Sequence, residues 1–221
     1  MKRLFISLAA LALLAVGGCS SGANASAPAK ASASSPSLPA GPTYASKAFA
    51  VPLTITVPAS YFKAQPNEDT STFLTWHTGS TELEGKFHRV RFLLPVALYP
   101  PGQTTPETPP KDYLAYLRGL SRQGVTLADE KKTTVDGHRA TLMTVTTKRG
   151  LPGSTGCPQT QGPPDALEDC YGYQPEGQVR IAVIDVSGRT LLAWATINTG
   201  NPDESAFFAE FEAMLNSVRF R

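Results

Sequence analysis

Alternation of apolar and polar residues recurs along the chain after residue 44 and predicts β-strands. The clearest run is Leu53-Thr54-Ile55-Thr56-Val57, in which every second residue is apolar until Pro58 ends the pattern. Shorter apolar runs predict two further strands, over residues 73–76 and 87–94. The first half of this region is therefore expected to be mainly strand.

Two β-hairpins are predicted in the second half of the chain. Asp136-Gly137 lies between apolar runs at 133–135 and 140–147, and Asp-Gly is a preferred pair for a two-residue hairpin turn. A similar turn at residues 187–189 separates the runs 179–186 and 191–197. Both alternating sets of residues 179–186 are mainly apolar, which predicts a strand covered on both faces.

Two amphipathic helices complete the prediction. Thr108 followed by Pro109 suits a helix start, and the first helix would bury Tyr113, Leu114, Leu117 and Leu120. Asn201 and Pro202 open the second helix, with a buried stripe of Phe207, Phe208, Phe211, Met214 and Leu215. We therefore expect an α+β fold, a mostly antiparallel sheet covered by helices on both faces. A short extended piece at 217–220 closes the chain.

The N-terminus has the pattern of a signal peptide. Lys2 and Arg3 precede an almost wholly apolar run at residues 4–16, and small residues follow it. Thirteen helical residues rise only about 20 Å, which is too short for a hydrocarbon core of about 30 Å. No second long apolar run follows, so a multi-span membrane protein is excluded.

The end of this segment resembles the lipobox of bacterial lipoproteins. Val16-Gly17-Gly18-Cys19 places one aliphatic and two small residues before a cysteine. That resemblance implies cleavage between Gly18 and Cys19, so that residues 1–18 are the signal peptide, and a diacylglyceryl group on the Cys19 thiol. It also implies a protein held at the extracytoplasmic side of the cell membrane, since two acyl chains give a stable anchor. An ordinary secreted protein with a chance cysteine is the alternative.

Residues 19–43 form a predicted tether, and residues 44–221 form a single predicted domain. The tether is almost entirely Ala, Ser, Pro and Gly, which buries too little to fold. A flexible segment of that length spans roughly 25–30 Å. Its Ala/Pro/Ser bias resembles that of actinobacterial lipoproteins. The 178 residues of the domain are enough for one core.

Charge argues against a nucleic-acid partner. The chain has 20 basic and 18 acidic residues, and removal of Lys2 and Arg3 leaves 18 of each. A nucleic-acid-binding domain needs a basic surface.

Three stretches of the domain resemble the PsbP-like fold of actinobacterial lipoproteins, including the mycobacterial LpqN group. They are the opening strand ending Thr56-Val57-Pro58, the hairpin Thr134-Val135-Asp136-Gly137-His138-Arg139-Ala140, and residues 181–194 with the Phe-rich helix and terminal strand. The resemblance implies a PsbP-like α/β/α sandwich. It also implies a non-enzymatic protein that binds proteins, lipids or membrane segments. An insert at residues 150–178 lies outside the resemblance.

Cys157 and Cys170 lie in that insert and are predicted to form a disulfide. Cys19 is assigned to the lipid, so one intramolecular pairing is available in an exported compartment. Two cysteines with no histidine between them are too few to hold a metal, and a C-x-x-C redox motif is absent. Tyr171 and Tyr173 follow Cys170; they would either form a recognition surface or cover the sheet edge.

Catalytic motifs are absent from the sequence, and no cofactor or metal is predicted. His77 and His138 are expected at a strand end and on the surface, and His88 on a strand with a polar side. A Ser-His-Asp triad assembled from distant positions stays open. The basic cluster of Lys86, Arg89 and Arg91 would form a solvated sheet face or meet lipid headgroups or an acidic partner.

A further group of acidic residues has non-catalytic explanations. The adjacent pair at 203–204 fits helix capping, and the pairs at 129–130 and 168–169 fit solvated loops.

These observations favour a non-catalytic, membrane-tethered binding module of the cell envelope. Its ligand would be a lipid, a glycolipid or an envelope protein, held between the sheet and one helix with Trp76 or Trp194 near the site. The alternatives are an exported hydrolase with an unmarked active site and a purely structural subunit of an envelope complex. A pocket with a nucleophile–base pair would favour the hydrolase.

Overall fold

The computed structural model describes residues 41–79, 87–160 and 170–221. The predicted signal peptide, Gly18, Cys19 and most of the tether lie outside these ranges. The helices are α1 (Tyr113–Gly119), followed by a 3-10 turn (Leu120–Gln123), and α2 (Glu204–Ser217). The strands are β1 (Thr43–Ala45), β2 (Leu53–Thr56), β3 (Glu68–Asp69), β4 (Phe73–His77), β5 (His88–Leu93), β6 (Val125–Val135), β7 (His138–Thr147), β8 (Leu151–Gly156), β9 (Tyr171–Tyr173), β10 (Gly177–Val186), β11 (Arg189–Asn198) and β12 (Arg219–Phe220).

A seven-stranded sheet in the order β3-β4-β5-β11-β10-β7-β6 forms the centre of the domain. All of its neighbouring strands are antiparallel, as predicted. The two predicted hairpins are confirmed, and each turn has two residues with positive φ: Asp136 (49°) and Gly137 (80°), then Ser187 (53°) and Gly188 (79°). Two consecutive left-handed residues match the twist of antiparallel strands, which explains the tight connections.

The first face of the sheet is covered by α2 and a three-stranded sheet, β1-β2-β12. Leu53 and Ile55 on β2 are fully buried, and Ala182 and Ile184 of β10 face the same core. The predicted stripe of α2 is also buried there, from Phe207 to Leu215. This core confirms the predicted first strand, terminal strand and second helix.

The second face of the sheet is covered differently. Here α1 and the 3-10 turn bury Leu117 and Leu120, and the insert adds β8 and β9, which pair with each other. The Tyr116 hydroxyl donates to the Ser154 carbonyl at 2.9 Å, and the Tyr113 hydroxyl donates to the Thr155 carbonyl. These bonds join the short helix to the insert.

The prediction that helices cover both faces is therefore wrong. Both faces of β10 are buried, as its apolar alternation indicates, but α1 has only seven residues and half of the second cover is strand. The predicted start at Thr108 was too early, because residues 108–110 precede the helix and belong to no helix or strand. Asp112 caps α1 instead, since its Oδ1 accepts from the Ala115 N–H at 2.9 Å.

A carboxylate ties the N-terminal segment to the sheet. Asp69 accepts the Tyr44 hydroxyl at 2.6 Å and the backbone N–H groups of Lys47, Ala48 and Phe49 at 2.7, 3.2 and 3.1 Å. Burial alone would raise the Asp69 pKa, but these four hydrogen bonds outweigh it and lower that pKa. Burial and the bond to Asp69 raise the pKa of Tyr44 to about 12.

Candidate functional site

The two tryptophans predicted near a ligand lie on opposite faces of the sheet. Trp76 is 1% exposed in the first core, and its indole N–H donates to the Ala64 carbonyl at 3.3 Å. Trp194 is 3% exposed in the second core, edge-on to Tyr171 with ring centroids 5.3 Å apart. The structure therefore does not bring them together, and each has a packing role.

The aromatic insert residues join Trp194. Tyr171 and Tyr173 are both buried in the second core, on the face of the sheet and not at the edge where one of the two alternatives placed them. A disulfide joins Cys157 to Cys170, with 4.1 Å between their Cα atoms, and confirms the predicted pairing. Burial raises the pKa of Tyr173 to about 12, so its hydroxyl is neutral at physiological pH.

The predicted basic cluster is not a solvated face. The Arg91 side chain is buried, with its guanidinium 4.0 Å from the centre of the Tyr171 ring. Arg89 is half-buried, with its guanidinium 4.2 Å from the centre of the Phe87 ring. Lys86 lies outside the described residues. The solvated-face prediction is wrong at Arg91 because the insert covers this end of the sheet.

The histidines occupy three separate places. His77 ends β4, as predicted, and its Nδ1 is 3.1 Å from the Gly79 carbonyl. His138 Nδ1 is 3.1 Å from the Asp185 carbonyl. The polar surface position predicted for His88 is wrong: it is buried, with its ring centre 4.7 Å from that of Tyr61.

Among residues 41–79, 87–160 and 170–221, no three acidic, histidine or cysteine side chains cluster as metal ligands. The carboxylate pairs are also separated. Asp129 lies at a β-bulge with φ 51°, and Asp203 occupies the N-cap position of α2, where its side chain makes no capping hydrogen bond. The pair at 168–169 lies outside the described residues.

A groove of about 650 Å³ opens on the described part of the chain. We call it the hairpin-end groove, because it lies where the β6–β7 and β10–β11 hairpins turn. Its walls are the start of α1, the ends of these four strands and the second turn. A volume of this size lies in the range of small-molecule sites.

The groove exists because α1 is too short to cover the whole second face. Register places Val183 of β10 between Thr141 of β7 and Leu192 of β11. Farther along the same strand, Val179 and Ile181 are buried, whereas Val183 is half-buried and its neighbour Leu114 on α1 is too. Val183 and Leu114 thus give the groove an apolar floor that stays open to solvent.

Polar groups surround that floor. The hydroxyl residues Thr133, Thr141 and Thr190 line the groove together with four cations, which are Lys111, Lys132, Arg139 and Arg189. Two carboxylates are present, and both are engaged. Asp112 caps α1, and Asp185 accepts from Arg139 at 3.0 Å and from the Gly188 N–H at 3.0 Å.

Three of the cations have no carboxylate partner within the groove. Lys111, Lys132 and Arg189 form no ion pair with any residue that the structure describes. Glu130 lies near Lys132 but binds Arg118. The groove therefore combines an apolar floor, hydroxyl donors and excess positive charge, a set that can hold an amphipathic anion.

Sequence reasoning did not identify this groove. Its residues come from five elements, and only the cationic residues beside the two hairpin turns could have been recognised from the sequence. Lys132 and Arg139 flank the Asp136-Gly137 turn, and Arg189 follows the Ser187-Gly188 turn. Pairing β7 with β10 brings these flanks to one end of the sheet.

A second groove, of about 500 Å³, lies on the other face between α2 and the β6–β7 hairpin. Its wall includes Glu212, whose carboxylate binds Lys131 and the buried Arg180. The Arg180 guanidinium also donates to the Thr144 hydroxyl at 2.8 Å. Because its charges are paired with each other, this groove offers no ion-pairing group to a ligand.

Comparison with known proteins identifies likenesses of fold. No protein-family model matches the chain, and no curated protein matches it. The described part of the chain contains no helix long and apolar enough to cross a membrane.

The chain is similar to the solved structure of a cyanobacterial PsbP from Synechocystis, with 10% identity over 81% of this chain and 92% of that one, and a TM-score of 0.41. The chain is also similar to a Pseudomonas aeruginosa protein of unknown function, with 13% identity over 76% of this chain and 92% of that one, and a TM-score of 0.37. A third is the Saccharomyces cerevisiae Ran-binding protein Mog1p, with 11% identity, 76% and 89% coverage and a TM-score of 0.37. These likenesses assign no function to this chain.

Proposed function

We propose that this chain is a lipid-anchored module of the cell envelope that binds an amphipathic ligand, without catalysis, in the hairpin-end groove. The observation that carries the proposal is the half-buried apolar floor around Val183, bordered by hydroxyls and cations. A site that holds one apolar and one polar part of the same molecule needs both kinds of surface side by side. The ligand class is a lipid or glycolipid.

The N-terminal sequence supports the same function. The Val16-Gly17-Gly18-Cys19 pattern favours a diacylglyceryl anchor on the extracytoplasmic side of the membrane, and the tether at 19–43 would have a root-mean-square span of roughly 25–30 Å between the bilayer and the domain. A binding domain held at that distance meets membrane amphiphiles at high local concentration. From the resemblance in sequence, we also propose that the chain is affiliated with the mycobacterial LpqN group.

The size of the groove limits how much of a ligand it can hold. About 650 Å³ accommodates a headgroup and the first part of an acyl chain. The rest of a long-chain lipid would stay outside the groove. We therefore expect the groove to bind one end of an amphiphile transiently.

The test uses the full processed chain reconstituted in phosphatidylcholine nanodiscs. Dihexanoyl phosphatidylcholine and dihexanoyl phosphatidylglycerol are added as water-soluble probes, and amide NMR shifts of Val183 and Thr141 are followed. We expect saturable shifts confined to the groove. Val183→Trp fills the floor and should weaken binding by tenfold or more, which is about 1.4 kcal/mol.

The matched control is Thr146→Trp, which adds the same side chain at a half-buried strand position outside the groove. It should leave probe affinity unchanged. The proposal is wrong if neither probe gives saturable shifts, or if both tryptophan variants bind as the original chain does. An envelope protein that displaces neither probe, yet binds elsewhere, would favour the protein-partner alternative.

A further inference from the structure

The cations of the hairpin-end groove indicate the charge of its ligand, which the apolar floor does not. Four cations and two carboxylates line it, so the groove has two more positive than negative charges. The mature chain has 18 basic and 18 acidic residues, so this excess is local and is not shared by the whole surface. A local excess of one sign selects ligands of the opposite sign.

The cations also lie on different sides of the floor. Lys111 precedes α1, Lys132 lies on β6, and Arg189 begins β11 after the hairpin turn. Arg139 is already bound to Asp185, which leaves these three available to a ligand. Cationic residues from three separate parts of the chain thus line the same groove.

The number of donors distinguishes between anions. A carboxylate has two oxygens, which a single arginine can occupy, whereas the phosphodiester of a phospholipid has two charged oxygens and two ester oxygens in a tetrahedral arrangement that donors can approach from several sides. The hydroxyls of Thr141 and Thr190 add further donors beside the same floor. Three cations and two hydroxyls around one groove therefore match a phosphate group better than a carboxylate.

We infer that the hairpin-end groove recognises the phosphate-bearing headgroup of an anionic membrane phospholipid, with Lys111, Lys132 and Arg189 contacting the phosphate and Val183 and Leu114 contacting the start of the acyl chain. This inference rests on the proposed function and names its ligand class. The apolar floor commits the site to a lipid headgroup, since free phosphate would leave Val183 and Leu114 without a partner.

The experiment compares two probes on the full processed chain in phosphatidylcholine nanodiscs. Dihexanoyl phosphatidylglycerol carries a net negative charge, whereas dihexanoyl phosphatidylcholine has the same chains and no net charge. We expect the anionic probe to bind about tenfold more tightly at low salt, which corresponds to exposed charge contacts of modest strength. The preference should shrink as salt is raised, because exposed charges are screened.

Variants assign the preference to the groove. Lys132→Gln with Arg189→Gln removes two exposed cations that hold no carboxylate in the described chain, and it should abolish the preference for the anionic probe. Lys148→Gln is the matched control, because this lysine is exposed beyond the far end of β7 and does not line the groove. It should leave the preference at about tenfold.

Three results overturn the inference. Equal affinity of the two probes, with Val183→Trp still blocking both, would keep amphiphile binding and reject the selection of an anionic phospholipid, since both probes carry a phosphate group and only one has a net negative charge. Inorganic phosphate that shifts the groove amides with the affinity of the anionic probe would make free phosphate the ligand. A preference that survives Lys132→Gln/Arg189→Gln would place the anion elsewhere. Failure of both probes rejects the proposed function itself, so the two failures are distinguishable.

Discussion

Glu212→Gln tests whether the charge pair beneath α2 holds that helix on the sheet. The Arg180 side chain is 8% exposed, and its Nε and Nη2 donate to Glu212 Oε1 at 3.1 and 2.9 Å. Lys131 binds the other carboxylate oxygen. The substitution keeps the size of the side chain, removes its charge and leaves the Arg180 guanidinium buried without an anion.

The magnitude follows from the exposure of the two partners. Breaking a fully buried ion pair costs about 3–5 kcal/mol, whereas an exposed pair contributes about 0–1 kcal/mol. Arg180 is buried, but the Glu212 side chain is 29% exposed, so water can partly replace the lost carboxylate. We therefore expect Glu212→Gln to lower the free energy of unfolding by about 2 kcal/mol.

A double-mutant cycle measures the pair itself. Arg180→Met removes the buried charge, so adding Glu212→Gln to that variant should cost much less, with a coupling of about 1–2 kcal/mol. Denaturant unfolding of the oxidised protein supplies each value, provided that the slope stays constant. Glu210→Gln is the control, since Glu210 lies on the same helix and accepts from the Ser60 hydroxyl. Equal losses at 210 and 212, or a coupling below about 0.5 kcal/mol, would refute the reasoning.

Three further outcomes are expected. Intact mass of the membrane-extracted chain should show loss of residues 1–18 and a diacylglyceryl group on Cys19, and Cys19→Ser should lack both; an unmodified mature chain would contradict the anchor. Joint replacement of Cys157 and Cys170 by serine should lower the free energy of unfolding by about 3 kcal/mol, measured by denaturation against the reduced original chain, which should lose the same amount. Asp69→Asn should cost about 1–2 kcal/mol at pH 7. Because the Asp69 pKa is lowered in the folded state, the stability that its carboxylate contributes is present above about pH 4 and is lost as pH falls through the folded pKa. The melting temperature of the variant should therefore fall less steeply with decreasing pH than that of the original chain. An unchanged slope at acid pH would contradict this.

The central sheet was predictable because its signals are local. Asp136-Gly137 and Ser187-Gly188 each supply two residues that accept positive φ between apolar runs, and both hairpins formed as expected. The apolar stripe of α2 was likewise predictable from the sequence. The helix itself begins at Glu204, and Asn201 lies before it, where its side-chain oxygen accepts from the Asp203 N–H at 2.9 Å.

The cover of the second face was not predictable in the same way. Residues 151–156 contain one proline and two glycines and show no alternation, so nothing in their pattern indicates a strand. They become β8 because they pack on Tyr99 and the α1 tyrosines, as shown by Gly153, where an added Cβ would lie 2.9 Å from Tyr99 carbons. Tertiary contact overrides local preference there. The groove was missed for the same reason, since its opening depends on where α1 begins.

The disulfide of the insert determines when the folding of the domain is completed. Its sulfurs join the one part of the second cover that follows no periodic pattern, and both cysteines are buried. A chain still exposed to cellular thiol reductants would have a complete first core and an unsecured second one, with Trp194 and Tyr171 open to solvent and to proteases. Oxidation of Cys157 and Cys170 would then be the step that completes the second core.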